Sequence, residues 1–147
     1  MKRILIPCVV IITLLSIACK KKISDPLPTN MTFVLNKDTV WKSANVITDN
    51  QNTGTIFITG TSSDGSKSLS LTLSGYAGKK QTFLVDYRGP GGNMTGNTGM
   101  YKDGSSGITA RAGKIVVTEV TDKLIKGNFD LHYLQEDMLG SFTAPAR

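Results

Sequence analysis

The sequence has few of the side chains that most often carry catalysis or bind metal ions. It contains one histidine, His132, and two cysteines, Cys8 and Cys19. Zinc sites take clusters of cysteine, histidine and carboxylate ligands, and a serine hydrolase needs a histidine beside its nucleophile. An alternating segment turns His132 outward, and no serine stands in a nucleophile-elbow context. We therefore expect no catalytic residue and no metal site, and we interpret His132 as part of the surface.

The loop motifs that bind calcium or nucleotide phosphates are also missing. Asp64-Gly65 and Asp103-Gly104 lack the alternating oxygen ligands of a calcium loop. The Gly-Lys pair in "GYAGKKQ" has neither the spacing nor the Ser/Thr of a phosphate loop. Glu136 and Asp137 are adjacent carboxylates, but they lie in a predicted turn, where acidic residues are common. The sequence thus predicts a protein that is not an enzyme and uses no cofactor.

The apolar run at the N-terminus is too short to cross a bilayer. It covers residues 4–18 and is interrupted only by Pro7, Thr13 and Ser16, whereas a spanning helix needs roughly 20 apolar residues. Lys2 and Arg3 precede it, as in a secretory signal peptide. We therefore interpret the run as a targeting segment.

The end of this run, "LSIAC", resembles the lipobox of bacterial lipoproteins, with Ser16 where leucine is most common. The resemblance implies cleavage between Ala18 and Cys19 and attachment of lipid to Cys19. Lipoproteins of this type carry two or three acyl chains, and two or more give stable anchoring. The implied location is the cell envelope, at the outer membrane of a Gram-negative bacterium. An uncleaved signal anchor and an ordinary secretory signal are the alternatives.

Cleavage at this site would divide the chain into a signal peptide (1–18), a lipidated cysteine with its tether (19–30) and a β domain (31–147). Cys8 would leave with the signal peptide, so no disulfide could form within the remaining chain. The tether "KKKISDPLPTN" contains two prolines and no clear periodicity, which indicates a partly extended linker.

The positive charge is concentrated outside the predicted domain. The formal net charge is +6, but five of the 17 basic residues are Lys2, Arg3 and the triplet Lys20–Lys22. The remaining 12 stand against ten acidic residues of the domain, since the eleventh, Asp25, lies in the tether. A nucleic-acid-binding domain would concentrate lysine and arginine on its folded surface, so no nucleic-acid partner is expected. The triplet suits either anionic lipid headgroups or a solvated start to the tether.

Beyond the tether, the signals are those of β-strands, with no convincing helical stripe. "SLSLTLS" alternates with Leu69, Leu71 and Leu73 on one face, and Asp64-Gly65 before it is a hairpin signal. Other segments place Phe83, Val85 and Tyr87, or Phe129, Leu131 and Tyr133, on a single face. The predicted strands are "MTFVL", "TVWK", "NVIT", "TIFITG", "SLSLTLS", "TFLVDY", "KIVVTEV", "NFDLHYL" and "LGSFTA". Eight or nine short strands predict an all-β fold, an antiparallel sandwich or a half-open barrel.

The order of these segments resembles that of β-rich lipoproteins of unknown function from bacterial envelopes. The shared features are an early "F…W" hairpin (Phe33 and Trp41), a glycine-rich loop with a tyrosine, and the strands "GKIVVTEV", "IKGNF" and "GSF". The resemblance implies a β-rich envelope domain and implies no reaction. The repeated Gly-x-Phe pattern in the last two strands predicts that the two rings share one face.

The stretch from Arg88 to Gly107 is the candidate binding loop. Seven of its 20 residues are glycine, and no strand pattern runs through most of it. Loops of this length are often functional. The candidate binding residues are Arg88, Asn93, Asn97, Tyr101 and Lys102. A glycan or an envelope protein is the expected ligand, since tyrosine offers a stacking face with a polar tip. The alternative is a connection that covers one end of the barrel.

Three functions remain open from the sequence. The first is a membrane-anchored binding or interaction module, and the second is an assembly lipoprotein that needs no small ligand. The third is a hydrolase or an inhibitor of one, against which the poor inventory of catalytic groups counts.

Overall fold

The computed structural model describes residues 28–35, 39–51, 54–87 and 96–146. Within these ranges the chain forms eleven β-strands and no helix, so none of them belongs to a helix that could span a membrane. The strands are β1 (Asn30–Leu35), β2 (Thr39–Lys42), β3 (Asn45–Gln51), β4 (Thr55–Thr61), β5 (Lys67–Leu73), β6 (Gln81–Asp86), β7 (Thr98–Asp103), β8 (Ser106–Thr109), β9 (Ala112–Val120), β10 (Leu124–His132) and β11 (Asp137–Pro145). The predicted cleavage and lipidation site at Ala18 and Cys19 lies outside the described residues.

The strands form two antiparallel sheets that pack together without closing into a barrel. The first sheet has the order β2-β1-β11-β10-β9-β6, and the second has the order β3-β4-β5-β7-β8. All pairings within both sheets are antiparallel. This confirms the predicted all-β class and identifies the β-sandwich. All nine predicted segments are strands.

The two additional strands, β7 and β8, lie where the sequence predicted only a loop. They form a hairpin whose turn contains Gly104 at a φ of 57°. The expectation that no strand runs through most of residues 88–107 is therefore wrong for its second half. Gly99 breaks the alternation of apolar residues in β7, and it is needed there because an added Cβ would overlap the side chain of Leu131.

The core lies between the sheets and follows the period-two pattern. Leu69, Leu71 and Leu73 on β5 are fully buried, as are Ile58 and Ile115 from the two sheets. The strands β6 and β10 bury the alternating faces that the sequence predicted, while the intervening residues are exposed or half-buried. Burial of such side chains contributes about 1.5–3 kcal/mol each, which offsets the conformational entropy that the chain loses on folding.

The repeated Gly-x-Phe pattern produces two reciprocal contacts between β10 and β11. Gly127 pairs with Phe142, and Phe129 pairs with Gly140. Each ring lies over the opposite glycine, so that a Cβ at either glycine would overlap the facing ring. Both rings are buried on the inner face of the first sheet, which confirms the predicted common face. A register shift between Lys126 and Gly127 marks a β-bulge at the same place.

Strand β1 runs across the strands of the second sheet. Met31 lies against Gly60 of β4, and Phe33 further along packs against Tyr101 of β7. Ser43, at the end of β2, makes the corner where the chain passes to the second sheet. Its Oγ accepts a hydrogen bond from the Met31 amide at 2.8 Å. Because the strands cross, one end of β1 meets the far edge of the second sheet, and a cleft opens there.

Candidate functional site

A cleft of about 350 Å³ opens where the edge strand β2 of the first sheet approaches the edge strand β8 of the second. Its walls come from β1, β2, β5, β7, β8 and the β10–β11 turn. The lining residues are Phe33, Leu35, Trp41, Lys67, Tyr101, Asp103, Ser106, Ile108 and Glu136. The sheets do not pair at this edge, so the core remains accessible through the gap.

Three aromatic rings form one wall of the cleft. The Phe33 ring stacks on Trp41 with centroids 4.7 Å apart and an interplanar angle of 27°. Tyr101 meets the Phe33 ring edge-on, with centroids 5.6 Å apart. The Tyr101 residue is only 8% exposed, and this burial raises the pKa of its hydroxyl. Trp41 is half-buried, so the outermost ring of the group is the one available for stacking.

Charged groups line the cleft beside the Tyr101 hydroxyl. Lys67 Nζ lies 3.2 Å from Asp103 Oδ2, and this hydrogen bond raises the pKa of Lys67. Glu136 is half-buried, and its carboxylate has no ion-pair or hydrogen-bond partner among the described residues. Lys67 is therefore paired with Asp103, whereas Glu136 forms no ion pair in the described part of the chain, although the exposed Arg111 lines a neighbouring cavity with it.

A second cavity of about 480 Å³ adjoins the first. It is lined by Tyr87, Ile108, Thr109, Arg111, Tyr133, Leu134, Gln135 and Glu136. Ile108 and Glu136 line both cavities, so the two form one elongated cleft beside β8. Tyr133 is buried at its base, where the hydroxyl donates to Met138 Sδ at 3.9 Å and burial strongly raises its pKa.

The candidate residues predicted from the sequence do not form one surface. Tyr101 lines the cleft, but the neighbouring Lys102 projects from the opposite face of β7, where it borders a depression on the outer side of the second sheet. Successive residues of a strand point to opposite faces, so these two cannot contact the same small ligand. Arg88 and Asn93 lie outside the described residues.

Asn97, another predicted binding residue, has its side chain engaged between the two sheets. Its Oδ1 accepts a hydrogen bond from the Ser74 amide at 2.8 Å, and its Nδ2 donates to the Leu84 carbonyl at 3.1 Å. Ser74 follows β5 and Leu84 lies in β6, so the amide joins strands of different sheets. Asn97 therefore has a structural role, which is to join the two sheets through its side-chain amide.

His132 does not line the cleft. Its Nδ1 lies 2.7 Å from Asp137 Oδ1, and its Nε2 lies 3.5 Å from Asp130 Oδ1. The hydrogen bond to Asp137 raises the pKa of the imidazole, with a smaller contribution from Asp130. Both ring nitrogens face carboxylates, and the side chain is exposed, as the sequence predicted. In the described part of the chain, no group of three or more histidine, cysteine or carboxylate side chains is arranged to hold a metal ion.

Sequence reasoning missed most of the cleft, including Lys67, Asp103, Ile108 and Glu136. They come from segments up to 69 residues apart in the chain. Three lining residues carried a signal: Phe33 and Trp41 through the early hairpin pattern, and Tyr101 as a candidate of the glycine-rich loop. The other residues become neighbours only when the sheet edges meet.

Comparison with known proteins found no matching family model, no similar curated protein and no similar solved structure.

Proposed function

We propose that this chain is a lipid-anchored protein of the bacterial cell envelope whose β-sandwich binds a glycan or a protein segment without catalysing a reaction. The observation that supports binding is the open cleft, which combines a stacked aromatic wall with the Glu136 carboxylate, for which the described residues provide no ion-pair partner. Accessible aromatic faces next to a few polar groups are typical of ligand sites. The proposed site is therefore the cleft, with Tyr101 as its link to the candidate loop.

The anchor supports an envelope location at the outer membrane of a Gram-negative bacterium. The eleven residues 20–30 that follow the acylated Cys19 in this proposal span at most about 36 Å when fully extended. The sandwich would then remain close to the lipid surface, and its ligand would be a component of the envelope.

Acylation is tested by growing cells expressing the full chain with a clickable palmitate. We expect the wild type to incorporate the label and the Cys19→Ser variant to lose it, because the thiol is the proposed attachment site. Mass spectrometry of the purified wild type should also lack residues 1–18. Equal labelling of the two proteins would contradict the proposed anchor.

Binding is tested on the full chain in detergent, screened against a glycan array and a peptide array. The sequence contains a single tryptophan, so Trp41 fluorescence reports directly on the cleft. A ligand of the cleft should change this fluorescence, and its affinity should fall in Glu136→Gln but not in Asp122→Asn, which neutralises an exposed carboxylate outside the cleft. Failure of every probe to bind would favour the assembly role.

A further inference from the structure

We propose that the cleft binds an extended peptide that adds as a strand to the free edge of β8 and directs a lysine or arginine side chain towards Glu136. This inference rests on the proposed function, because it assumes that the cleft is the binding site. It adds the class of ligand, the geometry of binding and the side chain that is recognised.

The first observation is the edge itself. Among the described strands, β8 pairs only with β7. The amide of Ala110 donates to the Gly99 carbonyl at 2.8 Å. Hydrogen-bonding direction alternates along an antiparallel strand, so Gly107 and Thr109 point their backbone N–H and C=O groups away from β7. An edge of this kind is a template for an added strand.

The second observation is the position of the cleft along this edge. Ser106 and Ile108 line the aromatic cavity, while Ile108 and Thr109 line the adjoining one. Alternate side chains of a strand on the same face are roughly 7 Å apart. A peptide paired with β8 would therefore place two successive inward side chains over the two cavities, one on either side of Ile108.

The third observation is the charge between the cavities. Glu136 lines both, and Arg111 lines the second cavity, but among the described residues Glu136 forms no ion pair with Arg111 or with Lys67, which pairs with Asp103. A basic side chain entering beside Glu136 would gain a charge-assisted hydrogen bond and would approach the half-buried ring of Trp41, which favours cations. A sugar could stack on the same ring, but it would leave the edge of β8 unused.

The side-chain preference is tested with a library of acetylated and amidated heptapeptides that have a central lysine and randomised flanking positions. Binding to the full chain in detergent is followed by Trp41 fluorescence. We expect the best peptide to lose affinity by about tenfold or more when its lysine is replaced by norleucine, because a hydrogen bond between charged groups is lost. Glu136→Gln should abolish this difference, and Asp122→Asn should leave it unchanged.

The strand geometry is tested on the backbone. N-methylation of the peptide residues whose amides face β8 should prevent binding, whereas N-methylation of the intervening residues should be tolerated. On the protein, Gly107→Pro removes an outward-facing amide, whereas the control Gly107→Ala retains it. The Cβ of the alanine has room, because its nearest contact would be Lys102 Cγ at 3.5 Å. We expect only the proline variant to bind weakly. The control Thr82→Pro, on the edge strand β6, should bind normally.

The outcomes separate this inference from the proposed function. If N-methylation of neither alternating set of peptide residues weakens binding, strand addition is overturned. Binding of glycans alone, with sensitivity to Glu136→Gln, would overturn the peptide inference and leave the proposed function intact. If neither peptides nor glycans bind to a chain that melts cooperatively, both proposals fail.

Discussion

The reciprocal contacts of Gly127 with Phe142 and Gly140 with Phe129 show how single residues determine the packing of the first sheet. Neither glycine has a positive φ. Glycine is needed at these positions because the ring of the opposite strand fills the space that a side chain would occupy on the inner face. Two phenylalanines thus occupy a part of the core that would not hold four side chains.

A stability measurement tests this role. Gly127→Ala should destabilise the fold by about 1–3 kcal/mol, because the added methyl group overlaps a buried ring and overpacks the core. Gly107→Ala is the matched control, since its Cβ meets only ordinary contacts. Thermal and denaturant unfolding of both variants gives the comparison, and equal stabilities would show that the sheet accommodates the methyl group.

His132 gives a second prediction at the residue scale. The hydrogen bond to Asp137, opposed by partial desolvation and supported by Asp130, raises the pKa of its imidazole above the ordinary value of 6.5. This is the only histidine in the sequence, so its NMR signals are unambiguous. The pKa should fall towards the ordinary value in Asp137→Asn and remain raised in Asp122→Asn.

The same shift links the stability of the fold to pH. Because the pKa of His132 is higher in the folded state, the protonated imidazole stabilises the fold, and this contribution is fully present below about pH 6.5. It is lost as the pH rises through the raised value in the folded protein. Denaturant midpoints measured across this range should fall with pH in the wild type and show a smaller slope in His132→Gln. If the midpoints of His132→Gln fall with pH as steeply as those of the wild type, other groups cause the pH dependence of stability.

At the scale of elements, the hairpin of β7 and β8 decides where the cleft lies. It extends the second sheet beyond β5 and brings Tyr101 and Ile108 to the edge opposite β2. The sequence did not predict this hairpin because Gly99, Gly104 and Gly107 interrupt the alternation on which strand prediction depends. Gly99 meets a tertiary requirement, because it packs closely against Leu131, whereas Gly104 meets the local requirement of the turn for a positive φ.

The link between the sheets at Asn97 can be tested by removing its side chain. Asn97→Ala leaves the Ser74 amide without this acceptor, and we expect a loss of about 1 kcal/mol or more in unfolding free energy. Asn128→Ala removes an exposed asparagine from the outer face of β10 and serves as the control. If Asn97 were instead a ligand contact, the variant would retain its stability and lose binding.

At the scale of the whole molecule, the sandwich should fold without its anchor. A protein that begins at Thr29 retains all eleven described strands and contains no cysteine. We therefore expect a far-ultraviolet circular dichroism spectrum typical of β-structure and a melting temperature that does not change with reducing agent. A helical spectrum, or loss of cooperative melting, would show that the fold depends on the N-terminal residues.

The sequence by itself determined nine of the eleven strand-forming segments, the faces that they bury and the all-β class. These follow from alternation along the chain, which reflects the pleat of a single strand, as in Leu69, Leu71 and Leu73. Only the tertiary structure decided the cleft. Its walls depend on which strands occupy the sheet edges and on long-range pairings such as Met31 with Phe142. Such pairings bring together residues like Trp41 and Glu136, which carry no local pattern that relates one to the other.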